Sequence, residues 1–257
     1  MATEPRVLLV VPCFNEAERL RRDLFSEAVK QREWLDLLFV NDGSADSTGA
    51  VIDALALEHP GRVRSLHLAR NLGKSGAVRE GVLAALETGA DLCGYWDADL
   101  ASPIAEIDGM RDIFADPGVF LVMGVRVPLR GRDVRRRRAR HLLGRFFAYM
   151  ASLALDVALY DTQCGAKVFR NNDVARRIFR DPFTARWVFD IDLLARIAEH
   201  DRERGTNVLA SGIIEHPLTA WHDVGGSRLR PRDFVRAGID LATIAARVRA
   251  GLSGARR

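Results

Sequence analysis

Residues 92–103 have the sequence LCGYWDADLASP, and this stretch decides the fold. The run at 92–96 has the composition of a buried strand, and two aspartates, Asp97 and Asp99, follow it at alternate positions. Carboxylates this close together are hard oxygen ligands of the kind that Mg²⁺ or Mn²⁺ prefers. An isolated D-x-D triplet is more often a turn or a surface acid pair, so its interpretation depends on the loops beside it.

The chain before this stretch alternates between apolar runs and helical patterns. Apolar runs predict four more strands. Three of them precede the stretch, at residues 7–11, 35–40 and 63–68, and one follows it, at 119–125. Between them lie helical patterns, the first of which is predicted to begin at Glu16 with Asn15 as its N-cap. Strands that alternate with helices predict an α/β fold, with a mostly parallel central sheet flanked by helices.

Three loops of this fold carry acidic residues directly after predicted strands, at residues 12–16, 41–46 and 97–99. In a parallel sheet the carboxyl ends of the strands share one edge, and ligands bind there, where the strand order reverses. We therefore expect the three loops to form one site.

The pattern changes after residue 126. A long basic helix is predicted to about residue 160, then a DTQCG loop at 161–165, helices near 172–179 and 190–200, a strand near 212–218, and a helix beyond Pro231. We expect one domain over residues 1–230, with halves of about 1–125 and 126–230, followed by a C-terminal amphipathic helix and basic tail at 231–257.

Charge is distributed unevenly along the 257 residues. Residues 126–145 contain nine Arg and one Asp, which leaves 29 basic and 33 acidic residues in the rest of the chain. Such a run is either a solvated helix face or a docking site for phosphates, an anionic membrane surface or nucleic acid. Nucleic acid is disfavoured, because the run has little aromatic interleaving and no recognised binding motif.

Several other classes are excluded by what the sequence contains. Gly73-Lys74-Ser75 resembles the end of a P-loop, but Leu68 stands where its first glycine is needed, and no G-x-G-x-x-G follows the first strand. Three cysteines do not make a disulfide scaffold and favour a reducing compartment. No stretch qualifies as a membrane span or a signal peptide. We therefore expect a cytoplasmic protein, with peripheral contact at the inner face of the cell membrane.

Four motifs in order resemble the family-two glycosyltransferases of the GT-A fold, a Rossmann-like fold that binds nucleotide sugars. They are VVPCFNEAERL (10–20), VNDGSADST (40–48), ARNLGKSGAVREGV (69–82) and DADLASP (97–103). Three later motifs are similar to the dolichyl-phosphate (polyprenyl-phosphate) β-glucosyltransferase branch, with dolichyl-phosphate mannose synthases as close relatives. These are DTQCGAKVF (161–169), RWVFDIDLL (186–194) and AWHDVGGSRL (220–229).

The resemblance implies roles for individual residues on the donor side. Asp97 and Asp99 would hold Mg²⁺ or Mn²⁺ and the donor diphosphate, Asp42 would contact the base or ribose, and Lys74 would reach a donor phosphate. The nucleoside pocket would be lined by Pro12, Phe14 and Glu16.

The resemblance also implies phosphate-binding arginines. Arg126 matches the family's G-S-R motif and Arg228 the late G-S-K/R motif, while Arg136 and Arg140 best fit the arginines that bind the acceptor phosphate. A planar guanidinium suits phosphate oxygens in all four cases.

The implied reaction is an inverting single displacement at the anomeric carbon. A hydroxyl acceptor needs a carboxylate base, for which Asp190 is the first candidate, with Asp192 and Asp161 behind it. A phosphate acceptor is already ionised at neutral pH, because its second pKa is about 6, and needs no base. Asp190 can equally have a structural role, because a negatively charged side chain at the N-terminus of a helix is stabilised by the helix dipole.

Three departures from the family pattern bear on the substrates. Asn41 replaces the first acid of D-D-G-S, Val125 replaces the serine of G-S-R, and Ala101 stands where mannose synthases carry Gln. Ala101 favours a glucosyl donor. In eukaryotic members a membrane anchor precedes the first strand, whereas this sequence begins with that strand. The Arg-dominated composition is typical of a high-GC bacterium.

The leading hypothesis is therefore transfer of glucose from UDP-glucose to a polyprenyl phosphate. The alternatives are another donor, such as GDP-mannose or a different UDP-sugar, or a soluble hydroxyl acceptor. Outside this class the chain would be a catalytically inactive module that binds nucleotide sugars.

Overall fold

A seven-stranded mixed sheet forms the centre of the protein, for which a computed structural model describes residues 4–135, 138–222 and 231–254. Its strands are β1 (Val7–Cys13), β2 (Leu35–Asn41), β3 (Val63–His67), β4 (Leu92–Trp96), β5 (Leu121–Val125), β7 (Ala166–Arg170) and β8 (Ile213–Pro217). They lie in the order β3-β2-β1-β4-β7-β5-β8, and β7 is antiparallel to both of its neighbours. The predicted α/β fold with a mostly parallel sheet is confirmed.

Helices cover both faces of this sheet. They are α1 (Arg22–Gln31), α2 (Thr48–Glu58), α3 (Gly73–Leu86), α4 (Ile107–Asp112), α5 (Arg138–Leu155), α6 (Asp173–Phe179), α7 (Phe189–Arg204), α8 (Val208–Ser211) and α9 (Pro231–Gly254). Because side chains alternate along a strand, Val7 and Leu9 of β1 join a core with α1, α2 and α4, whereas Leu8 and Val10 join a core with α3, α5, α7 and α9. Burial on both faces explains why β1 is a continuous apolar run.

The strand order reverses between β1 and β4. From β1 the chain builds β2 and β3 on one side, and then crosses to place β4 on the other side. The loops after β1, β2 and β4 therefore meet at the predicted edge.

The predicted helix start at Glu16 is wrong, because Asn15 does not cap a helix. Asn15 has a left-handed backbone with φ 51°, its N–H donates to Ser44 Oγ at 3.0 Å, and its Oδ1 accepts from the N–H of Ala45 at 2.9 Å. The residue ties the loop after β1 to the loop after β2, and α1 begins only at Arg22. A contact 30 residues away decides its conformation.

The single long helix predicted from residue 126 is also wrong. Residues Asp133–Arg135 form a short strand, β6, which pairs in parallel with β9 (Ala220–His222), and α5 ends at Leu155. The sequence analysis did not predict β7. Its sequence AKVFR contains Lys167, which is fully buried in the structure. Because the lysine interrupts the apolar run, hydrophobic patterning does not indicate a strand here.

The C-terminal helix α9 packs against α5 and α7 and is held by a buried acid. Arg247 of α9 donates to Asp192 Oδ1 at 2.6 Å and to Glu199 Oε1 at 2.7 Å, both on α7. Asp192 is fully buried and also accepts from the N–H and hydroxyl of Thr184. Burial raises the pKa of Asp192, but Arg247, the nearby Arg196 and the Thr184 N–H together hold it below its usual value.

Replacing Arg247 by Met is expected to lower the free energy of unfolding by about 3 kcal/mol, because it removes one partner of a buried ion pair. Urea unfolding at pH 7 checks this. The control is Arg177→Met, which breaks the exposed pair with Glu203 and should cost less than about 1 kcal/mol.

The same pair predicts a pH dependence. Asp192 has a depressed pKa in the folded protein, so its contribution is present above the unfolded pKa and is lost as the pH falls through the folded pKa. The difference between wild type and Arg247→Met should therefore shrink below about pH 4. A pH-independent difference would contradict the ion-pair explanation.

Candidate active site

Asp42 organises the start of the site. It is buried at the end of β2, and its Oδ1 accepts from the N–H of Leu72 at 2.7 Å, directly before α3. Its own N–H donates to the carbonyl of Cys13 at 2.9 Å. Burial raises the pKa of Asp42 despite the hydrogen bonds from the start of α3. Asp42 thus joins β1, β2 and α3, and this orientation was not predicted.

Glu16 is paired rather than open. Arg19 donates to both carboxylate oxygens of Glu16, at 2.8 and 2.9 Å. The backbone N–H of Glu16 donates to Thr48 Oγ1 at 2.8 Å. Pro12 and Phe14 lie half-buried just before Glu16. Because β1 and β4 pair in parallel, the loops that follow them leave the sheet at the same edge, as predicted.

The carboxylates of Asp97 and Asp99 lie at the end of β4. Lys74, in the first turn of α3, places its Nζ 2.5 Å from Asp97 Oδ1. Asp99 Oδ1 accepts from the N–H of Ala101 at 3.1 Å. Burial raises the pKa of Asp99, and the neighbouring negative charge of Asp97 raises it further. Burial lowers the pKa of Lys74, but the charges of Asp97, Asp190 and Asp99 outweigh it and raise that pKa overall.

This acidic pair fits a divalent cation. A cation bound beside Asp99 would offset the negative charge of Asp97 that raises the pKa of Asp99. Mg²⁺ typically uses one or two protein carboxylates together with water and substrate phosphates. Among the residues that the structure describes, no group of three or more His, Cys, Asp and Glu is arranged to hold a metal by itself. Asp97 and Asp99 would therefore share the ion with a bound diphosphate.

Gly165 was not assigned a role by the sequence analysis, yet it shapes the site. Its carbonyl accepts from the N–H of Asp97 at 3.1 Å, and a Cβ added to Gly165 would lie 1.9 Å from Asp97 Oδ2. Only glycine permits this close approach. The sequence signal was the glycine of the DTQCG motif, but nothing local connects it to a carboxylate 68 positions away in the chain.

Arg126 and Asp161 are brought together. The Nε and Nη2 of Arg126 donate to the Asp161 carboxylate at 2.6 and 2.7 Å, and the guanidinium lies 5.3 Å from the ring centre of Trp221. Burial lowers the pKa of Arg126, but the charge of Asp161 outweighs it. Glu215 accepts from the N–H groups of Tyr160 and Asp161 and so fixes the start of the DTQCG loop.

Asp190 is buried at the start of α7 behind the acidic pair. Its Oδ1 accepts from Lys167 Nζ at 2.6 Å and from the hydroxyl of Tyr95 at 2.5 Å. Asp192, the second base candidate, lies instead in the ion pair that holds α9. Cys164 is fully buried beside Ser102, and burial raises the pKa of its thiol, so it packs the interior and is not a nucleophile.

Three of the predicted arginines cannot be placed in this arrangement. Arg136 and Arg228 lie outside the described residues, and Arg140 is described only as part of the backbone of α5. Their roles stay predictions.

Comparisons with known proteins identify the family of this chain. The model of the family described as Glycosyl transferase family 2 matches residues 8–176. A dolichyl-phosphate beta-glucosyltransferase of Trichomonas vaginalis is 30% identical over 265 residues, which cover 97% of this chain and 74% of that protein. The polyprenol monophosphomannose synthase of Mycolicibacterium smegmatis is 30% identical over 216 residues, covering 83% and 77%.

Solved structures show the same fold. Glucosyl-3-phosphoglycerate synthase from Mycobacterium tuberculosis in complex with UDP superposes with a TM-score of 0.66 at 19% identity, over 95% of this chain and 80% of that one. A further complex of that enzyme contains Mn²⁺, UDP and glucosyl-3-phosphoglycerate, and superposes with a TM-score of 0.62 at 17% identity, over 98% and 80% of the two chains.

Replacing Gly165 by Ala is expected to displace the Asp97 carboxylate, because the new Cβ would overlap it. In the presence of UDP, Mn²⁺ binding should weaken about 10- to 100-fold, the range seen when the support of a metal ligand is removed. Electron paramagnetic resonance of free Mn²⁺ measures this. The control is Gly238→Ala on α9, where a Cβ meets nothing within 4 Å. Equal Mn²⁺ affinity in the two variants would refute the role of Gly165.

Proposed function

The chain belongs to glycosyl transferase family 2 and is a glycosyltransferase with the GT-A fold, and we propose that it transfers glucose from UDP-glucose to a polyprenyl phosphate. The observation that carries this proposal is the carboxylate pair at the end of β4, which backbone from the DTQCG loop holds in place. Similarity along 97% of the chain to a dolichyl-phosphate beta-glucosyltransferase supports the donor and the acceptor.

On the donor side, Asp97 and Asp99 would hold a divalent cation, Mg²⁺ or Mn²⁺, which would supply positive charge to the leaving nucleoside diphosphate. Lys74 is already beside Asp97 and adds a positive charge near the phosphates. Asp42 orients the nucleoside from the end of β2, and Pro12, Phe14 and Glu16 complete its pocket. The Mn²⁺ and UDP in the complex of the mycobacterial enzyme support this assignment.

On the acceptor side, the arginines bind phosphate. Two N–H groups of Arg126 are used by Asp161, so it meets a phosphate through the remaining edge of its guanidinium. Arg136, Arg140 and Arg228 are proposed as its partners on the basis of the family resemblance. A lipid phosphate is already largely ionised at neutral pH, so its oxygen attacks the anomeric carbon without a protein base.

The state of Asp190 favours a phosphate acceptor over a hydroxyl acceptor. A general base must be within hydrogen-bond reach of the proton that it removes, whereas Asp190 is buried, with Oδ1 bound by both Lys167 and Tyr95. A mannosyl donor is the specific alternative, because the mycolicibacterial relative is a polyprenol monophosphomannose synthase. The intact pair of carboxylates argues against an inactive binding module.

A membrane face on α5 supports a lipid acceptor. Phe146, Tyr149 and Leu153 are 55%, 60% and 57% exposed, and their spacing places them along one side of the helix. We call these three residues the α5 stripe. In the sequence it directly follows the arginine-rich run at 126–145, and neighbouring cationic and apolar residues are typical of segments that bind anionic membrane surfaces. None of the helices in the described part of the chain is long and apolar enough to cross a bilayer.

Calorimetry is expected to show tighter binding of UDP-glucose than of GDP-mannose in the presence of Mn²⁺. In the Asp99→Asn variant the affinity for UDP-glucose in the presence of Mn²⁺ should fall at least about tenfold, because one of the two carboxylates that bind the ion is neutralised. Radiolabelled glucose should then be transferred to a polyprenyl phosphate and not to phosphoglyceric acid.

The outcomes separate the alternatives. Preference for GDP-mannose would assign the mannosyl reaction, and transfer to phosphoglyceric acid would assign a soluble acceptor. If neither nucleotide sugar bound with any divalent cation, the proposed function would be wrong.

The triple variant Phe146→Ser, Tyr149→Ser, Leu153→Ser is expected to bind anionic phospholipid vesicles on the order of 100-fold more weakly, because three large apolar side chains no longer enter the interface. Vesicle sedimentation measures this. The control is Leu57→Ser, which replaces a side chain that is 83% exposed on α2. Equal losses in both variants, or none in the triple variant, would contradict the assignment of the membrane face.

A further inference from the structure

Lys167 of β7 is a charged side chain in the interior of the protein. It is 0% exposed, and its Nζ donates to the carbonyls of Thr162 and Cys164, at 3.0 and 2.7 Å, and to Asp190 Oδ1 at 2.6 Å. An ammonium group has three N–H donors, and this geometry uses all three. Burial of a charge is unfavourable unless the charge is paired and hydrogen-bonded, so the arrangement demands an explanation.

The two carbonyls that Lys167 binds belong to the loop that precedes β7. Thr162 and Cys164 are both fully buried, and their loop, residues 161–165, has no regular secondary structure. Buried backbone carbonyls need hydrogen-bond donors, which in a strand come from the neighbouring strand. Lys167 supplies them here, because its side chain reaches back from β7 into the loop that precedes it.

The same loop ends at the metal-binding carboxylate. Gly165 accepts the N–H of Asp97 and packs its α-carbon against the Asp97 side chain, as described above. A shift of the loop by a few tenths of an ångström therefore moves the carboxylate or its backbone support. The position of Asp97 depends on the carbonyls that Lys167 holds.

Asp190 is the counter-ion that makes this arrangement possible. Its Oδ1 accepts from Lys167 of β7 and from Tyr95 of β4, two residues before Asp97, and so connects α7 with both strands. Without Asp190 the lysine would be an uncompensated buried charge.

We propose that Lys167 and Asp190 are positioning residues: their buried ion pair fixes loop 161–165 and, through Gly165, sets the affinity of Asp97 for the divalent cation. The inference rests on the proposed function in so far as Asp97 binds the metal. It assigns Asp190 to the support of the donor site instead of to proton transfer.

The decisive variant is Lys167→Met combined with Asp190→Asn. It removes both charges together, which avoids the uncompensated buried charge of either single variant. We expect cooperative thermal unfolding in the absence of metal, faster amide hydrogen exchange at residues 161–165, and Mn²⁺ binding about 10- to 100-fold weaker in the presence of UDP. Free Mn²⁺ is measured by electron paramagnetic resonance, and exchange by mass spectrometry.

The matched control is Tyr95→Phe, which removes the other donor to Asp190 Oδ1 but leaves the three bonds of Lys167 in place. Its loop exchange and Mn²⁺ affinity should stay close to those of wild type. If the double variant also kept both properties, the pair would belong only to the core and the proposal would be overturned.

Two further outcomes are distinguishable. If the double variant kept wild-type exchange and Mn²⁺ affinity but lost sugar transfer, the pair would act in the transfer step itself and the positioning role would be wrong. If wild type bound neither Mn²⁺ nor Mg²⁺ in the presence of UDP, the proposed function would fail, and the exchange comparison would still decide whether the pair holds the loop.

Discussion

The site depends on one close approach, between the α-carbon of Gly165 and the carboxylate of Asp97. It joins the two halves of the chain, because Asp97 ends β4 of the first half and Gly165 precedes β7 of the second. Since β7 runs antiparallel beside β4, with Ala166 paired to Trp96, the loop before β7 must arrive where β4 ends. A side chain at this glycine would separate the strand end from the loop that completes the site.

The charges around this contact occur in neighbouring pairs. The pairs are Lys74 with Asp97, Arg19 with Glu16, Arg126 with Asp161, and Lys167 with Asp190. These cations are already paired with carboxylates, so a nucleoside diphosphate that enters the site adds negative charge that they do not neutralise. In a site of low dielectric constant this addition is unfavourable unless a cation accompanies it. Under the proposed function, metal and diphosphate would therefore bind together at the acidic pair, and only weakly alone.

Elements of the first half of the chain could be predicted from the sequence, because they have local hydrophobic patterns. β1 and β4 are continuous apolar runs because both faces of the sheet are covered, and β2 departs from this pattern at Asp36. The loops that follow these strands leave the same edge of the sheet, as expected. β7 was missed because its central Lys167 is buried, and Asn15 was misassigned because a loop 30 residues away sets its φ. Such long-range causes leave no periodic trace. The partners of Asp161 and Asp190 were hidden for the same reason.

One loop contacts residues that are proposed for both substrates. Residues 161–165 hold the donor carboxylate Asp97 at one end through Gly165, and at the other end Asp161 holds Arg126. Arg145 stacks on Tyr160, directly before the loop, and links it to α5 and its exposed stripe. A phosphate bound at the remaining edge of the Arg126 guanidinium would therefore act, through Asp161, on the segment that supports Asp97. Under the proposed function, donor and acceptor binding would be coupled through this loop. An anionic acceptor also suits a site that offers cations, since a hydroxyl acceptor would need a base.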